Sequence, residues 1–159
     1  MRSRLLLCLA VAFPSSLLAA VEVAREGTYD ATDCMGGPAQ VITQSASQVI
    51  GSFDVMGTLI GKPGMLYHNT NIRCLGVWSL LDGQYSESGN CQIVDADGDK
   101  MLGRFSRGTG DGRWEVISGS GKYVGLTSNG TYAPLGPFPQ PTPNTVQGCS
   151  RVTGTWKMR

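Results

Sequence analysis

The sequence contains a single histidine, and this scarcity limits the chemistry that the chain can perform. Catalysis that depends on an imidazole would have to use His68. No serine occurs in the Gly-x-Ser-x-Gly context of a nucleophile elbow, so a Ser-His-Asp hydrolase is not expected. The chain also lacks a Cys-x-x-Cys pair, and one histidine with isolated cysteines does not form the usual ligand set of a zinc site. The sequence therefore predicts neither a metal nor a cofactor, and leaves open whether the protein is an enzyme.

Long hydrophobic runs are also absent. The longest uninterrupted apolar run, residues 5–13, is too short to cross a bilayer, which needs roughly 20 residues. It follows the basic residues Arg2 and Arg4 and leads to small residues that end at Ala20. This layout is typical of a secretory signal peptide. We expect a signal peptide over residues 1–20 and a single domain over residues 21–159. The expected location is secreted or periplasmic, with no stable membrane anchor after cleavage.

An excess of positive charge is missing as well. Without Arg2 and Arg4, the chain has 11 Lys and Arg residues against 12 Asp and Glu residues, and no basic stripe. Proteins that hold a nucleic acid backbone normally present a clustered positive surface. No nucleic acid partner is therefore expected.

The cysteine count agrees with export. Cys8 would leave with the signal peptide, and the mature chain keeps Cys34, Cys74, Cys91 and Cys149. Four cysteines in an oxidising compartment predict two disulfides, with three connectivities open. We favour Cys74–Cys91, which would join neighbouring strands, and Cys34–Cys149, which would tie the start of the domain to its last strand.

Glycine is abundant, with 22 residues in 159, about twice the usual share of roughly 7%. Many glycines stand in turn dipeptides, which are expected to supply positive-φ positions between strands. These dipeptides are Pro63-Gly64, Asp82-Gly83, Asp97-Gly98, Asp111-Gly112 and Asn129-Gly130. No segment beyond residue 20 shows the i, i+3, i+4, i+7 pattern of an amphipathic helix. The recurrence of these turn dipeptides along the chain therefore indicates successive antiparallel strands.

The segments between the turns predict strands. Residues 48–60 show the clearest period of two, with Phe53, Val55 and Leu59 on one face. Gly51 and Gly57 share that face and were expected to be bulges or bends. The other predicted strands are residues 22–30, 40–45, 65–78, 90–95, 100–107, 113–118, 123–132 with a turn at Asn129-Gly130, and 146–157. We predict an all-β protein, a single closed antiparallel barrel of about eight strands; a two-sheet β-sandwich is the alternative.

Five prolines occur within residues 134–143, where they favour polyproline II over strand pairing. We interpret this segment as a rigid surface connection before the last strand. A recognition segment for a proline-binding groove is the alternative.

One stretch of the chain resembles a known group of barrels. Gly119, Gly121, Tyr123 and Gly130 match the glycine-rich hairpin of the allene oxide cyclase-like and dirigent-like barrels. The segments 95–100 and 147–156 also look like those of small exported bacterial barrels of unassigned function. The resemblance implies an eight-stranded barrel with a central cavity, and association into a dimer or trimer. Members of the group include a cyclase of an oxylipin epoxide and proteins that steer the radical coupling of phenols, but no site residue is carried over.

Charged side chains on the predicted strands are the candidates for ligand binding in such a cavity. They are Asp54, His68, Arg73, Arg104 and Glu115. The acids of residues 95–99 invite a calcium interpretation, but glycine is absent from the required loop position, so a hairpin turn is favoured. Gly119-Ser-Gly-Lys122 lacks the first glycine of a phosphate loop, and a strand is predicted to follow it.

Three functions are compatible with these observations. The first is an exported, disulfide-bonded barrel that binds a small, largely apolar molecule. The second is an isomerase or cyclase acting on a small hydrophobic substrate, with an acid and an arginine positioning it. The third is a structural or partner-binding exported protein.

Overall fold

The computed structural model describes residues 24–159, so the predicted signal peptide lies outside the described residues. The described chain forms one closed barrel of eight antiparallel strands, in which each strand pairs with its neighbours in sequence and β1 pairs with β8. The predicted fold class is confirmed. The strands are β1 (Glu26–Ser45), β2 (Gln48–Gly61), β3 (Thr70–Leu81), β4 (Gln84–Val94), β5 (Lys100–Arg107), β6 (Gly112–Gly119), β7 (Thr127–Pro134) and β8 (Thr145–Lys157).

Helical structure in residues 24–159 is limited to one 3-10 turn, Gly121–Tyr123, between β6 and β7. Within this part of the chain, no helix has the length and apolar character to span a membrane.

The apolar face of β2 points into the barrel, as its period of two predicts. Val55 and Leu59 are buried and Phe53 packs against the core. The two glycines on this face are not bulges, because the register of β2 with β3 is continuous on both sides of them. A side chain at Gly51 would overlap the Trp78 ring, and one at Gly57 would overlap the Cys34 carbonyl. Both glycines therefore make room for neighbouring groups.

Strand β1 is longer than the sequence indicates. The Gly36-Gly37-Pro38 segment was expected to break it, yet β1 pairs with β8 through all three residues. A side chain at Gly37 would overlap the Asp54 carbonyl of the adjacent strand, so glycine allows close passage here. Strand β4 likewise begins at Gln84, six residues before the predicted start.

One of the expected turns lies inside a strand, and another, Asp111-Gly112, ends where β6 begins. Gly130 is paired with Trp114 of β6 and Gly154 of β8, so Asn129-Gly130 is not a turn. Gly112 is the buried first residue of β6. By contrast, Asp82 and Gly83 have φ angles of 51° and 79°, as a tight two-residue hairpin between β3 and β4 requires.

One end of the barrel, here called the floor, is closed by side chains. The loop between β2 and β3 folds inward and buries Leu66 and Tyr67, which are 1% exposed. Tyr123 after β6 and Trp156 of β8 complete the plug. The opposite end, here called the mouth, carries the three hairpin turns and the proline-rich connection between β7 and β8.

Both disulfides join directly paired residues, and they are the pairs that the sequence favoured. Cys34 of β1 is bonded to Cys149 of β8 (S–S 2.06 Å) on the outside of the barrel. Cys74 of β3 is bonded to Cys91 of β4 (S–S 2.01 Å) inside it. The two bonds are compatible with an oxidising compartment.

Candidate functional site

The barrel encloses a cavity of about 580 Å³ between the floor and the mouth. Ligand pockets in proteins typically measure roughly 300–1,000 Å³. The wall is mostly apolar, and eight of its side chains are aromatic. The aromatic members are Phe53, Tyr67, Trp78, Tyr85, Phe105, Trp114, Tyr132 and Phe138.

Glycines within the strands create the slots that these rings occupy. A side chain at Gly76 would lie 2.5 Å from the Phe53 ring, and one at Gly103 would overlap the Trp114 ring. Phe53 stacks with Phe105 at a centroid distance of 6.1 Å. The abundance of glycine thus allows large rings to line a small barrel.

A polar cluster lies in the half of the cavity nearer the mouth. Glu87 of β4 accepts hydrogen bonds from the Tyr85 hydroxyl at 2.7 Å and the Tyr132 hydroxyl at 2.8 Å. Arg107 Nε lies 2.8 Å from Glu87 Oε1, and the two groups form an ion pair. The Nε–H bond does not point at this oxygen, so the contact is not a hydrogen bond. The guanidinium also stands 4.6 Å from the centre of the Tyr85 ring. The cluster is therefore internally paired.

These contacts favour neutral tyrosines. Burial, assisted by the adjacent Glu87 carboxylate, raises the pKa of Tyr85 to about 12. Burial and Glu87 also raise the pKa of Tyr132. Both hydroxyls can donate hydrogen bonds throughout the physiological pH range.

Asp33 is the second acid of the cavity wall, and it has a different environment. It is 7% exposed and receives a hydrogen bond from the Ser150 backbone N–H to Oδ1 at 2.9 Å. Burial raises the pKa of its carboxyl to about 6, against an ordinary value of 3.8. Within residues 24–159, no Lys, Arg or His side chain forms an ion pair with it. Asp33 is therefore an uncompensated acid facing an apolar cavity.

The floor of the cavity is a hydrogen-bonded seal. Trp114 Nε1 donates to the Tyr67 hydroxyl at 2.9 Å, and that hydroxyl lies 3.2 Å from Ser128 Oγ. Tyr29 packs edge-on against Tyr67 with ring centres 4.9 Å apart. Burial raises the pKa of Tyr67. This end offers neutral, largely satisfied groups, so access is expected from the mouth.

The proline-rich segment forms part of the cavity wall at the mouth. Gly136, Pro137 and Phe138 line the cavity, although the sequence suggested a mere surface connection. Backbone and side-chain hydrogen bonds hold the segment to β8: Leu135 N donates to the Cys149 carbonyl at 2.8 Å, and Gln147 Nε2 donates to the Pro139 carbonyl at 3.3 Å. It therefore forms part of the rim of the mouth.

The binding residues predicted from the sequence lie elsewhere. Asp54 and Arg73 form a two-pronged ion pair on the outer face of β2 and β3, with distances of 2.9 and 2.6 Å. Arg104 Nε donates a single hydrogen bond to Glu115 Oε1 on the outside of β5 and β6. These four residues do not line the cavity, and their assignment to ligand binding stays a prediction. Asp54 lies instead in a separate, open depression between β1, β2 and β3.

His68 does not lie on a strand as predicted. It belongs to the turn that follows β2, where its Nδ1 lies 2.9 Å from the Gly61 carbonyl. It is half-buried and does not line the cavity. Its contact holds the floor loop to the end of β2.

The acidic loop between β4 and β5 is a turn, as favoured from the sequence. Asp95 Oδ1 accepts the backbone N–H groups of Asp97 and Asp99 at 2.9 and 3.0 Å. Lys122 forms ion pairs with Asp95 and Asp97, and so joins this turn to the glycine-rich connection after β6. In the described residues, no group of three His, Cys, Asp or Glu side chains could hold a metal ion.

Comparison with known proteins identifies the fold. Two solved structures of pterocarpan synthase dirigent proteins, GePTS1 and PsPTS1, superpose on this chain with TM-scores of 0.51 and 0.50. The match covers 95% of this chain and 98% of GePTS1, and 85% of this chain and 97% of PsPTS1, at 7% and 6% sequence identity. The fold is a dirigent-like barrel. The chain matches no protein-family model and no curated protein sequence. The resemblance drawn from the glycine-rich hairpin is thus confirmed for the fold.

Sequence reasoning missed the acids of the cavity, although a signal for Asp33 is present. Tyr29, Ala31, Asp33 and Met35 alternate along β1, which places an acid on an otherwise apolar face. This alternation was not recognised, because the first strand was predicted to end at Asp30. Glu87 was missed because β4 was expected to begin after it.

Proposed function

We propose that this protein is an exported barrel that binds a small, largely apolar molecule in its central cavity. The observation that supports this proposal is a cavity of about 580 Å³ with a mostly apolar wall, which includes eight aromatic side chains, and a few polar groups. An apolar cavity of about 150 Å³ is already large enough for benzene, so the volume here suits a ligand of several rings or a comparable aliphatic skeleton. Apolar burial would supply most of the affinity, and the polar groups would orient the ligand.

Gly148 provides a direct test, because it lines the cavity and has open space beside it. Beyond its chain neighbours, no described atom lies within 4 Å of the position that a Cβ would take. Gly148→Phe would therefore add a ring to the cavity wall from a position with room for its Cβ, whereas Gly148→Ala would occupy little of the cavity. The probe is 1-naphthalenemethanol, whose fluorescence reports transfer into an apolar environment.

We expect the wild-type protein and Gly148→Ala to take up one naphthyl probe per chain with similar affinity. Gly148→Phe should bind at least about tenfold more weakly, because the ring competes for the same apolar volume. Circular dichroism and the thermal midpoint identify a variant that has merely lost its fold. Probe binding that is unchanged in a folded Gly148→Phe would place the binding outside the cavity and refute the proposal.

A second candidate function is isomerisation or cyclisation of the bound molecule. The observation that favours it is Asp33, a buried acid whose pKa of about 6 allows proton donation and acceptance near neutral pH. The shared fold with two pterocarpan synthase dirigent proteins is compatible with this candidate. Once a natural ligand is known, Asp33→Asn should abolish its conversion even when the ligand saturates the cavity. Conversion at the wild-type rate by Asp33→Asn would exclude this role for the acid.

A further inference from the structure

The charges that line the cavity do not balance. The wall contains two carboxylates, Asp33 and Glu87, and one guanidinium, Arg107. Arg107 is already paired with Glu87, which also accepts two tyrosine hydroxyls. Asp33 therefore has no positive partner among the residues that line the cavity. A desolvated carboxylate without a counter-charge is unfavourable, and a cation supplied from outside would relieve that cost.

The aromatic wall adds a second attraction for positive charge. Aromatic faces carry the negative part of the ring quadrupole, and cations bind within about 6 Å of the ring centre. The protein already uses this contact internally, where the Arg107 guanidinium stands 4.6 Å from the centre of Tyr85. Phe53, Phe105 and Trp114 also line the same cavity.

We infer that the cavity binds a lipophilic amine, whose protonated nitrogen pairs with Asp33 while its apolar skeleton packs against the aromatic wall. This inference rests on the proposed function, and it names the chemical class of the ligand. A carboxylic acid of the same shape would meet Asp33 with like charge, and a neutral alcohol would form only an ordinary hydrogen bond. The cavity should therefore rank amine above alcohol above acid.

The preference should depend on pH through Asp33. Since an ammonium pairs only with the ionised carboxylate, amine affinity should rise as the pH passes upward through about 6. The other titratable groups that face the cavity are Glu87, Arg107 and the tyrosines Tyr67, Tyr85 and Tyr132. The flanking strands β2 and β8 present no titratable side chain to it. The tyrosines have raised pKa values, so they do not account for a change in amine affinity near pH 6. Glu87 is then the other acid that could contribute, and Asp33→Asn distinguishes the two.

The experiment compares three probes of one shape, namely 1-naphthalenemethylamine, 1-naphthalenemethanol and 1-naphthoic acid. They are titrated into the disulfide-bonded mature chain by calorimetry at pH 7.5, and the amine also at pH 5. The variants are Asp33→Asn and, as a control on the outer face of β1, Asp30→Asn, whose carboxylate pairs with Arg151. The amine should bind about tenfold more tightly than the alcohol, and the acid most weakly. Amine affinity should fall about tenfold at pH 5 and about tenfold in Asp33→Asn, with Asp30→Asn unchanged.

The outcomes separate this inference from the proposed function. Equal, pH-independent binding of the amine and the alcohol would overturn the amine preference and leave the cavity as a neutral apolar site. The acid binding most tightly would also overturn it and would indicate Arg107 as the anchor. A pH dependence that persists in Asp33→Asn would overturn the role of Asp33. Binding of none of the three probes would overturn the proposed function itself.

Discussion

Asp33→Asn should stabilise the ligand-free protein at neutral pH. The substitution removes an uncompensated buried charge, and the amide oxygen of asparagine can still accept the hydrogen bond from Ser150 N. Folding raises the pKa of Asp33 from 3.8 to about 6. At about 1.36 kcal/mol for each pH unit, the ionised carboxylate costs the native state about 3 kcal/mol. A destabilising side chain of this kind is expected at a functional site, where activity and stability can conflict.

The raised pKa of Asp33 determines how the stability of the wild type changes with pH. The protonated acid stabilises the native state fully below about pH 3.8, and this contribution is lost as the pH rises through about 6. Asp33→Asn has no such titration. The free energy of unfolding of the variant should therefore equal that of the wild type near pH 3.5, and exceed it by about 3 kcal/mol at pH 7.5.

The assay is urea unfolding of both proteins, freed of ligand by refolding, at intervals between pH 3.5 and pH 8. In a thermal scan at pH 7.5, the midpoint of Asp33→Asn should lie about 10 °C above that of the wild type, since a chain of this size gains about 2–4 °C per kcal/mol. Asp54→Asn is the matched control, because Arg73 lowers the pKa of Asp54 and should give a pH dependence of the opposite sign. An Asp33→Asn variant that is destabilised at pH 7.5, or whose difference from the wild type is constant across the pH range, would refute the reasoning.

Three further predictions concern the polar cluster, the disulfides and the interior glycines. Glu87→Gln should lower the free energy of unfolding in urea by about 2 kcal/mol, because it leaves the half-buried Arg107 without its charged partner. The double variant Glu87→Gln/Arg107→Gln should lose less, and an equal or larger loss would contradict this. Mild reduction of the native protein should open Cys34–Cys149 first, because Cys34 is exposed while Cys74 and Cys91 are 1% and 3% exposed. Alkylation and peptide mass mapping show which disulfide opens first, and earlier opening of Cys74–Cys91 would contradict this. Gly130→Ala should cost about 1–3 kcal/mol, because its methyl group would overlap the Thr153 carbonyl and the Tyr29 hydroxyl; a thermal midpoint equal to that of Gly148→Ala would contradict this.

The fold could be predicted because its information is local. The period of two in β2 and the turn at Asp82-Gly83 are properties of short segments, and they survive in the structure. The errors came from glycines. Gly37 and Gly130 were interpreted as breaks because glycine favours turns, whereas the barrel uses them to admit a carbonyl or a hydroxyl from an adjacent strand. That use depends on register, which single segments do not reveal.

The site could not be predicted in the same way, because it depends on which face of each strand is inside. Asp54 and Glu115 are conspicuous acids on clear strands, but both lie on the outer face. Arg104 is directly opposite Glu115, and Arg73 is a diagonal neighbour of Asp54 on the adjacent strand. The structure combines an apolar inner face with a cavity, and Asp33 and Glu87 were recognised as part of its wall only once the full lengths of β1 and β4 were known.

The most direct test of the central claim is mass spectrometry of the molecules released when the protein, purified from its native source with both disulfides intact, is denatured. The account predicts one apolar compound with a basic nitrogen, present at about one molecule per chain and absent from Gly148→Phe. Its re-addition to the emptied protein should restore the complex. Recovery of no compound, from a folded protein that also excludes all three naphthyl probes, would contradict the account.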